Sequence, residues 1–430
     1  MFNEQICCTY LAILKEELLP ATGCTEPIAI AYCAAKLRAL LGQMPERVEA
    51  SVSGNILKNV NSVVVPNTNG RKGIPAAIGI GLIAGNADAG LQVIADVSEA
   101  QKTALGSFLE AAKMSVACCD SPCALDIALT GYAGSHSASV RITNNHTNLV
   151  YLAQDGKVLL DLPVVAAAED HLQDKSVLNI PDIVAFADQA PLELLREVLT
   201  PQIRCNLAIA EEGLRGNWGS QIGRTLLCQE PGAFVTEAKA YAAAGSDARM
   251  NGCEMPVVIL SGSGNQGITA SLPIIRFCQR HALPEEQLYR GLAVSDLITV
   301  YQKVGIGRLS AYCGAISAGA GAGSGLAYLH GAGVEGVSQT LSNAVAILSG
   351  TICDGAKSSC AAKIASAVEA GILGYWMYAG KNSFRSGDGI VGGSISDTVA
   401  RVGILASQGM RETDRTILQI MTGVSVSPGA

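Results

Sequence analysis

The chain opens on two runs whose apolar residues recur at helical spacing. MFNEQICCTYLAILKEELLP (1–20) carries its acids on one side of an amphipathic pattern, and CTEPIAIAYCAAKLRALLG (24–42) follows at once. Thr25 reads as the N-cap of that second helix, with Pro27 in its first turn, where a missing N–H costs nothing. From Arg47 the period shortens to two: RVEASVSGNILKN and NSVVVP alternate apolar and polar residues and are rich in valine, which predicts strands. PNTNGRKGIPAAIGIGLIAG (66–85) predicts a polar glycine turn entering a small-residue helix, and 91–113 an amphipathic helix. Alternation returns over 126–162, where Asp155-Gly156 between two apolar runs is a hairpin signal. Beyond about Pro181 the strand signal fades, and the chain reads as helices joined by glycine or Asn/Ser turns.

This pattern predicts an α+β protein dominated by helices. Residues 1–45 are expected to form a helical pair packing on the helical domain, 46–180 an inserted α+β domain, and 181–430 a large Ala/Gly-rich helical domain that carries Cys313, Cys353 and Cys360. A length of 430 residues also exceeds one ordinary core. The composition sharpens the picture: 49% apolar but only 4% aromatic, with 47 glycines, so the interior is built from small side chains and helices can approach closely. A net charge of −7 and the lack of any Lys/Arg run exclude a nucleic-acid partner. Fourteen cysteines without a secretory apolar segment fit a reducing cytoplasm better than a disulfide scaffold. The longest uncharged stretch, 309–334, could span a bilayer by length, but Ala, Gly and Ser supply little transfer energy, so a buried helix and no membrane partner are expected. Glycine-rich helices and few surface charges favour a homodimer.

The stretch TICDGAKSSC (351–360) holds two cysteines seven positions apart. Cysteines in an Ala-rich helical region commonly serve as small core residues. Here Asp354-Gly355 breaks the helix directly after Cys353, and Lys357-Ser358-Ser359 is too polar for a packed apolar face. With Cys313 upstream the pattern becomes C-x39-C-x6-C. Zinc sites use four ligands and short knuckles, neither of which is present. Three thiolates are what a [4Fe–4S] cluster requires if one iron stays open. Cys24 precedes a helix whose N-terminus lowers a thiol pKa, with Glu26 acting against it. SGSGNQG (261–267) offers Ser261, Ser263, Asn265 and turn N–H groups opening a helix, a site suited to a carboxylate. It lacks the βαβ unit and ribose-binding acid of a dinucleotide site. Asn67, Thr68 and Asn69 occupy an echoing turn, NTNGRKGIPAAI, that shares its plan with SGSGNQGITASL. His146, in the polar segment NNHTN, is a candidate base or substrate ligand, or a strand-end histidine bonded to backbone. Lys58 and Asn59, and Asp247 and Arg249, are explained equally well by salt bridges or caps. The CCDSPC run (118–123) reads as an ordinary turn with structural cysteines.

Six motifs in order, GCTEP, PNTNGRKGIP, SDARMNG, SGSGNQGIT, RLSAYCGA and ICDGAKSSCAAK, resemble the L-cysteine desulfidase family over essentially the whole chain. That family is related to the alpha subunit of iron–sulfur L-serine dehydratase. The resemblance implies a lyase that uses a [4Fe–4S] cluster to convert L-cysteine and water into pyruvate, ammonia and hydrogen sulfide. It also implies that Cys313, Cys353 and Cys360 are the cluster ligands, and that Cys24 either caps the fourth iron at rest or serves as the general base. Motif patterns of the family also cover His146, Lys58, Asn59, Asp247 and Arg249. The alternatives are a dehydratase acting on serine or another hydroxy amino acid, a non-catalytic iron or redox sensor using the same cysteines, and a metal-free protein with a small-residue core.

Overall fold

In the computed structural model, which describes residues 4–164, 173–307 and 309–422, the change of period at Arg47 marks the entry into the principal sheet. Arg308, the first residue of the RLSAYCGA motif, and residues 165–172 of the expected α+β segment lie outside the described residues. Six strands run in the spatial order Lys113–Cys119, Arg47–Ser53, Asp126–Ala133, His136–Thr143, Leu149–Gln154 and Lys157–Asp161. The first two are parallel, because the intervening chain passes through helices Gly73–Ala84 and Glu99–Ala111, and the other pairings are antiparallel. Val48, Ala50 and Val52 point to the same face and are buried, as are Ile127 and Leu129 on the neighbouring strand. That face is covered by Thr25–Leu41, against which Gly73–Ala84 packs in turn, giving one of two main cores.

The two N-terminal helices part company, unlike the grouping expected for 1–45. Glu4–Glu17 buries Tyr10, Ile13 and Leu14 in the helical core, where Tyr10 meets Phe186. Thr25–Leu41 joins the sheet core instead. Every residue from Thr25 to Ala35 is buried, so the first three turns of this helix have no solvent face and are enclosed on all sides, while Arg38 and Ala39 in its last turn are exposed.

Two strand expectations also change. The strand stops at Ser53 and NILKN lies in the helix Gly54–Val60. NSVVVP is a loop in which Val63, Val64 and Val65 are buried and only Val64 forms an isolated bridge, to Lys72. These valines fill the junction beneath the helices, so burial rather than pairing explains them. The helix expected over 91–113 starts later, at Glu99, with a capping box between Ser98 and Gln101.

The second core is helical, and Gly314–Leu329 runs through its centre. Around it pack Gly264–Arg280, Glu285–Ile306, Gly333–Leu348 and Cys360–Ala379. Small residues permit this. A Cβ added at Gly371 would lie 2.1 Å from the Gly319 carbonyl oxygen, and one at Gly323 would lie 2.3 Å from that of Gly371. The uncharged stretch therefore forms a buried helix of 16 residues, and among the described residues no helix is long and apolar enough to cross a membrane. A short antiparallel pair, Pro20–Thr22 with Pro256–Val258, carries the chain from the helical core towards the sheet core just before Cys24.

Candidate functional site

Four long helices begin at one cavity. Cys24 precedes Thr25–Leu41, Ser263 precedes Gly264–Arg280, Cys313 precedes Gly314–Leu329, and Cys360 opens Cys360–Ala379. All four residues line one cleft of about 100 Å3, together with Glu26, Asn59, Arg249, Asn265, Gln266, Tyr312 and Cys353. None of the four N-cap side chains accepts a bond from its own helix. First-turn N–H groups and the positive ends of four helix dipoles are thereby gathered around one space, which favours anions.

Backbone pairing brings the thiols together. Tyr312 and Ile352 form an antiparallel bridge, Cys313 N donates to Thr351 O at 3.2 Å, and Cys353 N donates to Ala311 O at 2.6 Å. The loop then turns at Gly355, whose φ of +93° belongs to glycine and whose added Cβ would lie 2.4 Å from the Lys58 carbonyl oxygen. That turn seats the loop on the helix Gly54–Val60 and returns Cys360 to the cavity, with its Sγ 3.6 Å from Gly355 O. The polar residues noted in the sequence form a charge cluster here: Asp354 pairs with Lys357 and Lys363, and Lys363 Nζ also donates to Ile352 O at 2.9 Å. Although burial raises the Asp354 carboxyl, the two lysines hold it down at about 2.

The thiols respond to burial and to one another. Cys313 is pushed up to about 12 by burial first and then by Cys353. Cys360 is raised by burial, with its bond from Lys357 N–H acting the other way and Cys353 adding to the rise. Cys24 is raised well above the ordinary thiol range by burial and then by Glu26, and the opposing pull of Arg249 does not restore it. This reverses the expected lowering at the helix start: desolvation of a fully enclosed thiolate outweighs the dipole. Cys24 Sγ donates to Glu26 Oε2 at 3.1 Å, and Asn59 Nδ2 donates to Glu26 Oε1 at 3.1 Å. Thr25 is not the N-cap. It is the first helical residue, and its hydroxyl lies 3.0 Å from both Glu26 Oε2 and Gly262 O.

Among the described residues no group of three or more His, Cys, Asp or Glu is arranged to hold a single metal ion. Cys313, Cys353 and Cys360 instead surround a shared cavity at a range where their charges still disfavour one another. Soft donors spread in this way fit a polynuclear thiophilic group better than one chelated ion.

The other candidate residues are placed as follows. Ser263 and Asn265 line the cavity. Ser261 is buried outside the lining, with φ +48° and its carbonyl 3.5 Å from Gln266 Nε2. Asn67 Nδ2 donates to Ile94 O at 2.7 Å and Thr68 Oγ1 to Val65 O at 2.6 Å, while Asn69 is exposed in the same turn, and none of the three lines the cavity. His146 lines a neighbouring cleft with Asn144 and Lys175, which meets the cysteine cavity at Leu309. Cys118 and Cys119 lie on an edge strand, and Cys123 is buried beside them. Lys58 pairs with Asp414. Asp247 caps the helix Ile222–Gln229, accepting from Ile222 N at 2.7 Å and Ser220 N at 3.3 Å, and burial raises its carboxyl to about 6. Arg249, two positions on, turns into the cavity with no bond to Asp247. Sequence reasoning did not separate Arg249, Gln266 and Tyr312 from structural residues. The available signal was a buried-looking small-residue run, AYAAAGS (240–246), that ends in two charges.

The family model for the serine dehydratase alpha chain matches residues 88–419, a span that contains Cys313, Cys353, Cys360 and Arg249. A UPF0597 protein of Desulfitobacterium hafniense strain Y51 is 51% identical over 413 residues, covering 96% of each chain. A UPF0597 protein of Lachnoclostridium phytofermentans is 46% identical, covering 95% of this chain and 98% of its own. One from Bacteroides thetaiotaomicron is 36% identical, covering 95% and 96%. The chain belongs to the serine dehydratase alpha chain family, among its UPF0597 members.

Proposed function

We propose that this protein is an L-cysteine desulfidase, a lyase that eliminates sulfide from L-cysteine to leave pyruvate and ammonia. The observation that supports this most directly is the convergence of Cys24, Cys313, Cys353 and Cys360 on one cavity ringed by helix N-termini. Cys313, Cys353 and Cys360 are the residues that would hold a [4Fe–4S] cluster. When bound, such a cluster supplies an open iron as a Lewis acid for negative charge on substrate or leaving group, without a redox change.

The chain's own groups handle the proton and the polar ends of the substrate. Burial and the Glu26 charge keep Cys24 in its thiol form, with its proton directed at Glu26 Oε2. The pair therefore works as a relay: the substrate's α-proton arrives at Cys24 Sγ as the thiol proton passes to Glu26. Asn59 steadies the Glu26 carboxylate from its other oxygen. Ser263 and Asn265, at the start of a helix, bind polar groups of the amino acid. Loss of the α-proton and of sulfide gives aminoacrylate. It tautomerises to an imine, and water hydrolyses that to pyruvate and ammonia. His146 has no place in this scheme, since it lines the adjoining cleft.

The serine dehydratase alpha chain match favours a second reading, in which the same site removes water from L-serine. Anaerobically prepared protein tests both: sulfide and pyruvate are measured from L-cysteine, and pyruvate alone from L-serine. Sulfide release that disappears in Cys24→Ala with iron retained supports the desulfidase. Turnover of serine but not cysteine moves the assignment to the dehydratase, and iron-free, inactive protein removes both.

A further inference from the structure

The cavity contains a buried cation that forms no ion pair among the described residues. Arg249 is only 2% exposed and ends the helix Phe234–Met250. Its Nε donates to Gly23 O at 3.0 Å and its Nη1 to Asn265 Oδ1 at 3.1 Å, so the guanidinium is fixed in place. Its Nη2 is buried without a partner, and among the described residues no carboxylate forms an ion pair with it. The arginine also lies against the start of the helix Gly264–Arg280, where a Cβ at Gly264 would be 2.3 Å from Nε. In the same cavity, Gln266 Oε1 and Tyr312 Oη are buried and equally unpartnered.

A buried, unpaired charge is costly, and preorganised donors around it identify what relieves the cost. The two N–H groups of Arg249 Nη2, beside the free N–H groups of a helix start, suit a planar monoanion. The tether to Gly23 sets this position next to Cys24. Gln266 Oε1 and Tyr312 Oη add an acceptor and a hydroxyl for a neighbouring amino or oxo group.

We propose that Arg249 is the protein's anchor for the α-carboxylate of a small amino or 2-oxo acid, and that it makes the site selective for ligands bearing that carboxylate. The proposal rests on the lyase reading for the identity of the turnover substrate, but carboxylate binding can be measured without turnover. The probe is pyruvate, compared with its neutral isostere pyruvamide, titrated calorimetrically into anaerobically prepared protein. Wild-type protein should bind pyruvate at least tenfold more tightly than pyruvamide. Arg249→Gln should lose at least tenfold in pyruvate affinity with pyruvamide binding and iron content unchanged, and Arg249→Lys should fall between. The proposal is overturned if wild type does not bind pyruvate or does not distinguish it from pyruvamide, or if Arg249→Gln binds it as wild type does. Should Arg249→Gln fail to fold, Arg249→Lys decides, since unchanged pyruvate affinity there overturns the anchor. Failure to release sulfide from cysteine, with pyruvate binding intact and arginine-dependent, would sink the desulfidase reading and leave the anchor standing.

Discussion

Asp296 provides a test of how the small-residue core treats an embedded charge. It lies on Glu285–Ile306 with no solvent exposure, and burial pushes its carboxyl up to about 7, against the pull of one bond from Gln202. Gln202 Nε2 donates to Asp296 Oδ1 at 3.0 Å, while Asp296 Oδ2 and Gln202 Oε1 are both without partners. A proton on Oδ2 supplies the missing donor for Gln202 Oε1 and closes an acid–amide pair. The folded chain therefore holds a proton that the unfolded chain, with its ordinary value of 3.8, has released. Stability should fall as pH rises through the interval between those values and level off above the upper one. At 1.36 kcal/mol per unit, the two units from about pH 5 to about pH 7 correspond to roughly 3 kcal/mol. Asp296→Asn presents an N–H2 where the acid presents O–H and has no charge to bury. Urea unfolding of both proteins at about pH 5 and about pH 8 should show the variant gaining on wild type by roughly 3 kcal/mol across that range. Parallel pH profiles would refute the protonated pair.

Gly371→Ala gains helix propensity of about 0.5–1 kcal/mol but places a methyl against the Gly319 carbonyl, so a net loss of about 2 kcal/mol or more is expected in denaturant melts. Gly350→Ala, with no atom within 4 Å of the new Cβ, is the near-neutral control, and a stabilised Gly371→Ala would overturn the close-approach argument. Asp247→Ala removes the acceptor for Ile222 N and Ser220 N and should cost about 1–2 kcal/mol, with Asp247→Asn losing less; equal stabilities would exclude the cap. Alanine at Cys313, Cys353 or Cys360 should strip iron from anaerobically prepared protein, whereas alanine at the exposed Cys228 should not. Unchanged iron in the first three would remove those thiols from the site.

Local signals carried far into the fold. The Asp155-Gly156 hairpin forms as read, with both residues at positive φ between two paired strands. The loss of strand signal after Pro181 is matched by helices throughout, apart from the short pair made by Pro256–Val258. What failed was decided by tertiary burial. Val63, Val64 and Val65 have strand propensity, but the space they occupy is a junction between helices and a loop suffices to fill it. The second helix looked like its N-terminal neighbour because both carry apolar runs, and only its buried circumference assigns it to the sheet core.

The site shows the same division between local and tertiary information. The helix starts after Cys24 and at SGSGNQG could be placed from their own residues, whereas around TICDGAKSSC the sequence showed a helix break after Cys353 and not the start at Cys360. That four such starts meet is a property of the packing, and so is the state of Cys24. A helix terminus contributes at most about 2 kcal/mol, roughly 1.5 pKa units, towards a thiolate, whereas full burial can oppose it by about 3–5 units. Sequence displays the dipole and the adjacent Glu26 but not the enclosure, so it predicts the wrong sign. The enclosure in turn explains the division of labour in the cavity. On the proposed assignment Arg249 and the helix ends attract the anion, while burial keeps the Cys313 and Cys360 thiols protonated, so that ligation of a thiophilic group by them would release protons.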